Sequence, residues 1–238
     1  MPSIYANAND GTISSGNNSS FSNARATATG TNINTSGLST SFGVGKSATR
    51  GGGSNFTISR AYFKFDTSGI TNTVSSATFK FSIAASVSDS AFNLILISSD
   101  AFTNSGDLQN ADFNNIDFST PFTSEIDLNG QSANARISAT LNSDALSLIQ
   151  SEDTFIVALV NHEFDFSNSA PTSNGFFTPQ VKFGNNTDNA NKPEIEYTEG
   201  AAASGPDNVA FVNTVAAASI ATVNKVAYSS IETINTVS

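Results

Sequence analysis

Two stretches of the chain alternate apolar and polar residues with the period of a β-strand. The first, residues 60–66, places Ala61, Phe63 and Phe65 on one face. Its other face carries the side chains of Arg60, Tyr62, Lys64 and Asp66. The second stretch, residues 77–83, repeats this pattern with two further phenylalanines on its apolar face. Both stretches therefore predict half-buried strands, with one face on a core and the other in solvent.

Further short candidate strands follow, separated by turns rich in Asn, Asp, Ser and Gly. They cover residues 93–98, 123–128, 154–160, 176–183 and 194–198. Upstream, residues 7–55 are mostly Asn, Ser, Thr, Ala and Gly, and we interpret their scattered apolar residues as anchors of short strands joined by long loops. These anchors are Ile13, Phe21, Ile33, Leu38, Phe42 and Val44, and Ile4, just before the segment, is interpreted in the same way. Strands at such spacing predict an all-β, jelly-roll-like sandwich.

One short helix is predicted between the strands at 123–128 and 154–160. Leu141, Ala145, Leu148 and Ile149 recur near helical spacing, and Ser143 is a suitable N-cap. We expect this helix to cover one end of the sandwich.

The character of the chain changes after Gly200. We divide it into a β-sandwich domain at 1–200, a linker at 201–208 and a repetitive tail at 209–238. An 11-residue shift superposes Val212, Val223 and Ile234, and it also superposes Val215, Val226 and Val237. The period is compatible with a slightly right-handed coiled coil, whereas the many Val, Ile, Thr, Asn and Ser residues favour short strands.

Three short repeats cannot bury an apolar face by themselves, so the tail predicts contacts with a partner or within a homo-oligomer. The residues expected to make these assembly contacts are Val209, Val212, Val215, Ile220, Val223, Val226, Ile231 and Ile234.

The strand pattern and the tail together resemble a known family. Residues 60–70, followed by 76–81, resemble the central signature of DNRLRE-type sandwiches, which are jelly-roll modules of secreted carbohydrate-binding proteins and of phage virion proteins. Residues 141–146 and 192–197 fit the later order of that signature. The Asn-x-Val-Ala repeats of the tail look like the terminal repeats of bacteriophage structural proteins.

This resemblance implies a virion structural protein, either a capsid decoration protein or a head-fibre or appendage protein. The expected partners are other virion proteins such as the major capsid protein, and the expected assembly is a homotrimer. The alternatives are a carbohydrate-binding module or a receptor-binding tail-fibre protein. Either would act outside the cell and would bind a host surface glycan.

Composition and charge narrow the function classes. The formal net charge of -10 disfavours nonspecific nucleic-acid binding, and no apolar run is long enough to span a membrane. We therefore expect neither nucleic acid nor a membrane as a partner. The chain has no cysteine, which excludes disulfides and thiolate metal sites. It begins without the basic and apolar regions of a classical secretory signal.

No catalytic motif emerges from the titratable residues. His162 is the only histidine, and the sequence lacks the G-x-S-x-G motif that would support a triad with Asp165. We interpret His162 as a packed or rim residue. Carboxylates also occur as i, i+2 pairs at 125/127, 163/165 and 194/196, which we interpret as solvated strand faces. The chain is predicted not to be an enzyme.

Two weaker ligand sites complete the expectations. Tyr62, with Arg60 and Lys64 beside it, is the best candidate for an aromatic platform under a sugar. Asp112, Asn114 and Asp117 offer oxygen ligands for a Ca²⁺ ion, although an ordinary turn explains the same loop. No other cofactor is expected.

Overall fold

A computed structural model describes residues 1–102 and 106–200, together with the backbone of four two-residue strands between residues 211 and 227. The helices are α1 (Phe21–Arg25) and α2 (Ser143–Ser151). The strands up to Gly200 are β1 (Ser3–Tyr5), β2 (Gly11–Ser14), β3 (Asn32–Asn34), β4 (Ser39–Ser41), β5 (Gly43–Ala48), β6 (Ser54–Asp66), β7 (Val74–Ser82), β8 (Leu94–Ser99), β9 (Ile116–Pro121), β10 (Arg136–Thr140), β11 (Thr154–Asn161), β12 (Gly175–Phe177), β13 (Gln180–Lys182) and β14 (Glu194–Glu199).

These strands form two main antiparallel sheets. The smaller sheet has the order β1-β14-β7-β10, and the larger has the order β12-β5-β6-β11-β8-β9 with β2 and β3 attached. The prediction of an all-β sandwich with a short helix is therefore confirmed. None of the described helices is long and apolar enough to cross a membrane.

The main core lies between the two sheets and is rich in phenylalanine. Phe63 and Phe65 of β6 meet Phe79 of β7 at ring-centroid distances of 5.7 Å and 6.2 Å. Phe183 stacks on Phe63 at 5.4 Å. Fully burying a side chain of this size contributes about 1.5 to 3 kcal/mol, so this ring cluster is a major source of the domain's stability.

Part of the outer face of the larger sheet is buried as well. Ile58 and Tyr62 of β6 belong to a second apolar cluster, which is covered by Phe21 of α1 and by Phe113. The prediction that residues 60–66 form a half-buried strand is therefore wrong at Arg60 and Tyr62, whereas it holds at Lys64, which is half-buried, and at Asp66, which is exposed. Alternation places residues on two faces, but it does not show what covers each face.

Two predicted strands differ in the structure. Residues 123–128 form no strand beyond an isolated bridge between Ile126 and Leu94. The Leu96 N–H donates to the Thr123 hydroxyl at 3.2 Å and not to a backbone carbonyl, so the strand pairing does not continue. The stretch 176–183 is divided into β12 and β13, which belong to different sheets. Pro179, which lacks an N–H for a ladder, lies between them.

The predicted helix exists, with its cap one residue earlier than expected. Asn142, not Ser143, is the N-cap of α2, and its side chain accepts the Ala145 N–H at 3.1 Å. Ala145 and Ile149 pack into the main core. The first helix, α1, was not predicted, although Ser20 caps it in the usual way.

The N-terminal anchors are divided between core and surface. Ile13, Phe42 and Val44 are fully buried, and Phe21 is nearly so. Ile4 is half-buried, whereas Ile33 and Leu38 are 38% and 56% exposed.

The described part of the tail is β-structured. Phe211–Val212 (β15) pairs with Val215–Ala216 (β16), and Thr222–Val223 (β17) pairs with Val226–Ala227 (β18). Val212 stands opposite Val215, and one repeat later Val223 stands opposite Val226. For these residues the coiled-coil interpretation is wrong, and the short-strand interpretation is confirmed.

Candidate functional site

Arg60, a predicted ligand-binding residue, is completely buried and paired. Its Nε and Nη2 donate to the two carboxylate oxygens of Asp165 at 2.8 Å and 3.0 Å. Its Nη1 donates to the Phe113 carbonyl at 2.8 Å, and Nη2 also donates to the Arg25 carbonyl at 3.0 Å. Burial lowers and the Asp165 carboxylate raises the pKa of Arg60, with a net upward shift, so the guanidinium stays charged.

Tyr62 lies beside Arg60 and is also fully buried. Its hydroxyl donates to the Phe113 carbonyl at 2.6 Å, and burial raises the pKa of that hydroxyl. The prediction of an exposed platform formed by Arg60, Tyr62 and Lys64 is therefore wrong, since a sugar cannot reach the ring. Lys64 is half-buried, two residues further along β6.

A second arginine closes this buried ion pair toward the surface. The Arg25 Nε lies 3.5 Å from the Asp165 carboxylate and donates to the Asp165 carbonyl at 2.7 Å. Its guanidinium stacks over the Phe118 ring at 3.9 Å. The cluster joins α1, β6 and the turns at Phe113 and Asp165. The Arg60 guanidinium, the Asp165 carboxylate and the Tyr62 hydroxyl all have protein partners. We interpret the cluster as structural.

Asp165 belongs to a single π-turn, His162–Phe166, that directly follows β11. The Asn161 side chain caps this turn by accepting the Phe164 N–H at 2.9 Å. The turn separates the predicted carboxylate pair, because Asp165 points to Arg60 and Arg25 while Glu163 stays half-buried at the rim. The expectation that both share a strand face is wrong, since the segment is not a strand.

At the rim, three side chains from distant parts of the sequence meet. The His162 Nδ1 lies 3.6 Å from Glu125 Oε1 and 3.5 Å from Glu163 Oε1. The three candidate ligand atoms lie within 4.8 Å of one another. Nδ1 itself is buried and has no hydrogen-bond partner. The imidazole stacks on Phe166 with an interplanar angle of 19°, which holds the ring in place.

Asn93 connects two of these three residues. Its side-chain amide donates to Glu125 Oε1 at 2.6 Å, and its backbone carbonyl accepts the His162 N–H at 2.9 Å. Its side-chain oxygen in turn accepts the Leu128 N–H at 2.9 Å. Asn93 is only 3% exposed, so the link between Glu125 and His162 is part of the packed domain.

The cluster also borders an open groove. Glu125 lines a groove of about 410 Å³ between residues 124–127 and the edge strand β10, where Arg136 and Thr140 are among the lining residues. Solvent and small solutes therefore have access to the side of the cluster that Glu125 forms.

The residues predicted as weak calcium ligands have other roles. The Asp112 carboxylate is buried and accepts the Gln109 N–H at 2.8 Å and the Asn115 side-chain amide at 3.0 Å. Asn114 is exposed. The Asp117 carboxylate accepts hydrogen bonds from the hydroxyls of Ser119 and Thr120, which lower the pKa of Asp117. The turn interpretation of this loop accounts for these contacts.

Within the described residues, the group of three possible metal ligands is therefore Glu125, His162 and Glu163. The sequence predicted His162 to be a packed or rim residue, and its position agrees with this. The sequence did not predict that Glu125 and Glu163 lie beside it. Only the adjacent pair His162 and Glu163 is visible in the sequence, because Glu125 lies in a segment wrongly predicted to be a strand.

The tail residues expected to make assembly contacts are only partly described. Val212, Val215, Val223 and Val226 lie in the paired strands β15 to β18. Val209, Ile220, Ile231 and Ile234 lie outside the described residues.

Comparison with protein-family models gave no match to this chain, and a search of curated proteins also found no match.

Proposed function

We propose that this chain is a bacteriophage virion structural protein, a capsid decoration protein or a head-fibre or appendage protein. It displays the β-sandwich and attaches through its C-terminal repeats, within a homotrimer and against other virion proteins such as the major capsid protein. The observation that carries the proposal is the repeated strand pair, in which Val212 pairs with Val215 and the equivalent residues of the next repeat, Val223 and Val226, pair in the same way.

Such strand pairs are poor candidates for independent stability. Each described strand has two residues, whereas an isolated two-stranded hairpin is marginal in water even when it is longer. The unpaired edges of short strands are templates for pairing with another chain. A regular row of these units is therefore best completed by neighbouring copies or by a docking surface, as an assembly element would be.

The sequence of the tail supports an apolar contact. The assembly residues are all Val or Ile, and each such side chain contributes about 1.5 to 3 kcal/mol when fully buried. A few of these residues in each of three chains would provide the free energy for a stable attachment. The resemblance of the Asn-x-Val-Ala repeats to phage terminal repeats directs this attachment to a virion.

A truncation tests the proposal directly. A chain lacking residues 207–238 is expected to keep the β-type circular dichroism spectrum of the sandwich, to lose the trimer mass in analytical ultracentrifugation, and to be absent from purified particles. The full chain should be found in those particles by mass spectrometry and by immunogold labelling. Incorporation of the truncated chain at the normal level would overturn the role of the tail.

A matched pair of substitutions avoids truncation. Val212→Lys with Val223→Lys places charges in the paired strands and is expected to reduce trimer formation at least tenfold. Thr214→Lys, between β15 and β16, introduces the residue that the next repeat already carries as Lys225 and should leave assembly unchanged. Equal effects of the two changes would contradict an apolar strand contact.

The alternative is a carbohydrate-binding or receptor-binding protein. Tyr62, the best candidate for stacking on a sugar, is buried and cannot take that role. Binding of the purified chain to a glycan array, together with its absence from particles, would favour that alternative.

A further inference from the structure

The unusual feature of the rim cluster is a buried nitrogen that faces two carboxylates without a hydrogen bond. His162 Nδ1 is inaccessible and unpartnered, yet Glu125 Oε1 and Glu163 Oε1 lie only 3.6 Å and 3.5 Å from it. An N–H donor would be expected about 2.7 to 3.2 Å from its acceptor. The nitrogen and the two carboxylate oxygens are therefore close together but not joined by a hydrogen bond, as ligands around a bound cation would be.

The two nitrogen-to-oxygen distances match metal coordination. Zn²⁺ binds imidazole nitrogen at about 2.0 to 2.1 Å and carboxylate oxygen at about 2.0 to 2.2 Å, so neighbouring ligands on a tetrahedron lie about 3.3 to 3.5 Å apart. The observed nitrogen to oxygen distances are close to this edge length. One imidazole with two carboxylates is a donor set that suits zinc and related dications, whereas Ca²⁺ prefers oxygen ligands alone.

We propose that Glu125, His162 and Glu163 form a binding site for a transition-metal dication such as Zn²⁺. His162 Nδ1 and one oxygen of each carboxylate are the three protein ligands. The remaining coordination position is open to water or to an external ligand, because the Glu125 and Glu163 side chains are 40% and 42% exposed.

Residues next to the three ligands hold them in place, as residues behind the ligands do in known metal sites. Asn93 orients Glu125 through a hydrogen bond to Oε1 and holds the His162 backbone through its carbonyl. Phe166 stacks on the imidazole and restricts its rotation. Such partners fix ligand direction, and their loss typically costs about 10- to 100-fold in metal affinity.

A bound ion would join two distant segments at the rim of the sandwich. Glu125 belongs to the loop after β9, whereas His162 and Glu163 begin the π-turn after β11. Because the ion binds the folded chain and not the separated ligands, it should stabilise the domain by mass action. This role is independent of the C-terminal tail and of the function proposed above.

The composition makes the site simple to test. His162 is the only histidine and the chain has no cysteine, so the full chain without a purification tag has no competing imidazole or thiolate. Isothermal titration with ZnCl₂ should show one saturable site. The NMR signals of the single imidazole should shift with the same stoichiometry, and the melting temperature should rise with Zn²⁺ and fall back with a chelator.

Variants of the ligands should abolish these effects. Glu125→Gln and Glu163→Gln change partly exposed side chains. Each should weaken Zn²⁺ binding by more than about a hundredfold, which is the largest loss usual for residues that only support the ligands. His162→Phe keeps a ring to stack on Phe166 and should remove binding altogether. The matched control is Glu152→Gln, which makes the same change at an exposed position outside the cluster and should bind Zn²⁺ normally.

Three results would overturn the proposal. The first is no saturable Zn²⁺ binding by the full chain, which would show that the three side chains meet at the rim without binding a metal. The second is unchanged binding in Glu163→Gln or Glu125→Gln while circular dichroism shows a folded domain. The third is binding of Ca²⁺ at His162 with the same affinity as Zn²⁺, which would contradict a site that selects transition-metal ions.

Discussion

Around Arg60 and Tyr62 the two faces of the larger sheet are both buried, but they are built differently. Toward the smaller sheet, β6 contributes Ala61, Phe63 and Phe65 to an apolar core. On its other face, Arg60 and Tyr62 lie among apolar side chains and form hydrogen bonds. The first face depends on ring packing, and the second depends on an ion pair whose groups are completely withdrawn from water.

The difference between the two faces shows the role of the buried Arg60–Asp165 ion pair in this fold. Apolar residues of similar size often stabilise a core as well as an ion pair does, because two charges lose their hydration on burial. Directional hydrogen bonds from Arg60 reach Asp165, the Phe113 carbonyl and the Arg25 carbonyl. The polar face therefore determines where the covering segments attach, whereas the apolar face mainly supplies cohesion.

Removal of one partner of the ion pair should have the largest effect. Asp165→Ala leaves Arg60 charged and without its carboxylate in a buried position, which is expected to cost about 3 to 5 kcal/mol of unfolding free energy. Urea denaturation followed by circular dichroism is suitable, because the chain has no tryptophan. Asp153→Ala, at an exposed position, should change stability by less than about 0.5 kcal/mol.

A double variant separates the ion pair from simple packing. Arg60→Met with Asp165→Leu removes both buried charges and should recover more than half of the loss seen in Asp165→Ala, since the one charge that still loses this carboxylate, Arg25, is partly exposed. A double variant as unstable as the single one would contradict this, because the charges themselves would then be required for stability.

A second buried carboxylate, which has no close arginine partner, gives the next largest effect. Asp10 is completely buried, and although one oxygen accepts the Gly184 N–H at 2.8 Å, the other has no partner. Burial raises the pKa of Asp10 from 3.8 to about 7. The folded state therefore binds the proton more tightly than the unfolded chain, and this group's stabilising contribution is full below about pH 4 and is lost as pH rises to about 7.

Asp10→Asn should accordingly be more stable than the natural chain above pH 7, by about a few kcal/mol, with the difference shrinking as pH falls toward 4. Thermal melts across this range measure the difference. Asp66→Asn is the control of opposite sign, because the Ser68 hydroxyl and backbone N–H lower the pKa of Asp66. A difference for Asp10→Asn that does not depend on pH would contradict the assignment.

The smallest effect should come from the Tyr62 hydroxyl. Tyr62→Phe removes one hydrogen bond to the Phe113 carbonyl, which still accepts Arg60 Nη1, so no buried acceptor is left unpaired. The expected cost is about 0.5 to 1.5 kcal/mol in urea denaturation. Tyr5→Phe, at a residue that is 39% exposed, should be close to neutral. A loss above about 3 kcal/mol would show that the hydroxyl does more than bind one carbonyl.

Local patterns predicted the parts of this protein that depend on neighbouring residues. The apolar alternation of Phe63 and Phe65 correctly assigned them to the main core, and helical spacing located α2 to within its cap. The 11-residue period located the paired strands of the tail. The same patterns failed for Tyr62 and for residues 123–128, where the environment comes from segments distant in the sequence.

By itself, then, the sequence determined the β class, the alternation of the central strands, the short helix and the repeat. Only the tertiary structure decided which polar residues are buried and which titratable groups meet. Arg60 was withdrawn from solvent because α1 and the turn at Phe113 cover its strand. Glu125 meets His162 and Glu163 because Asn93 and a π-turn hold them together, although the two segments are far apart in the chain. Periodicity reports the direction of a side chain from its own backbone, whereas burial and pairing depend on what the rest of the chain places opposite.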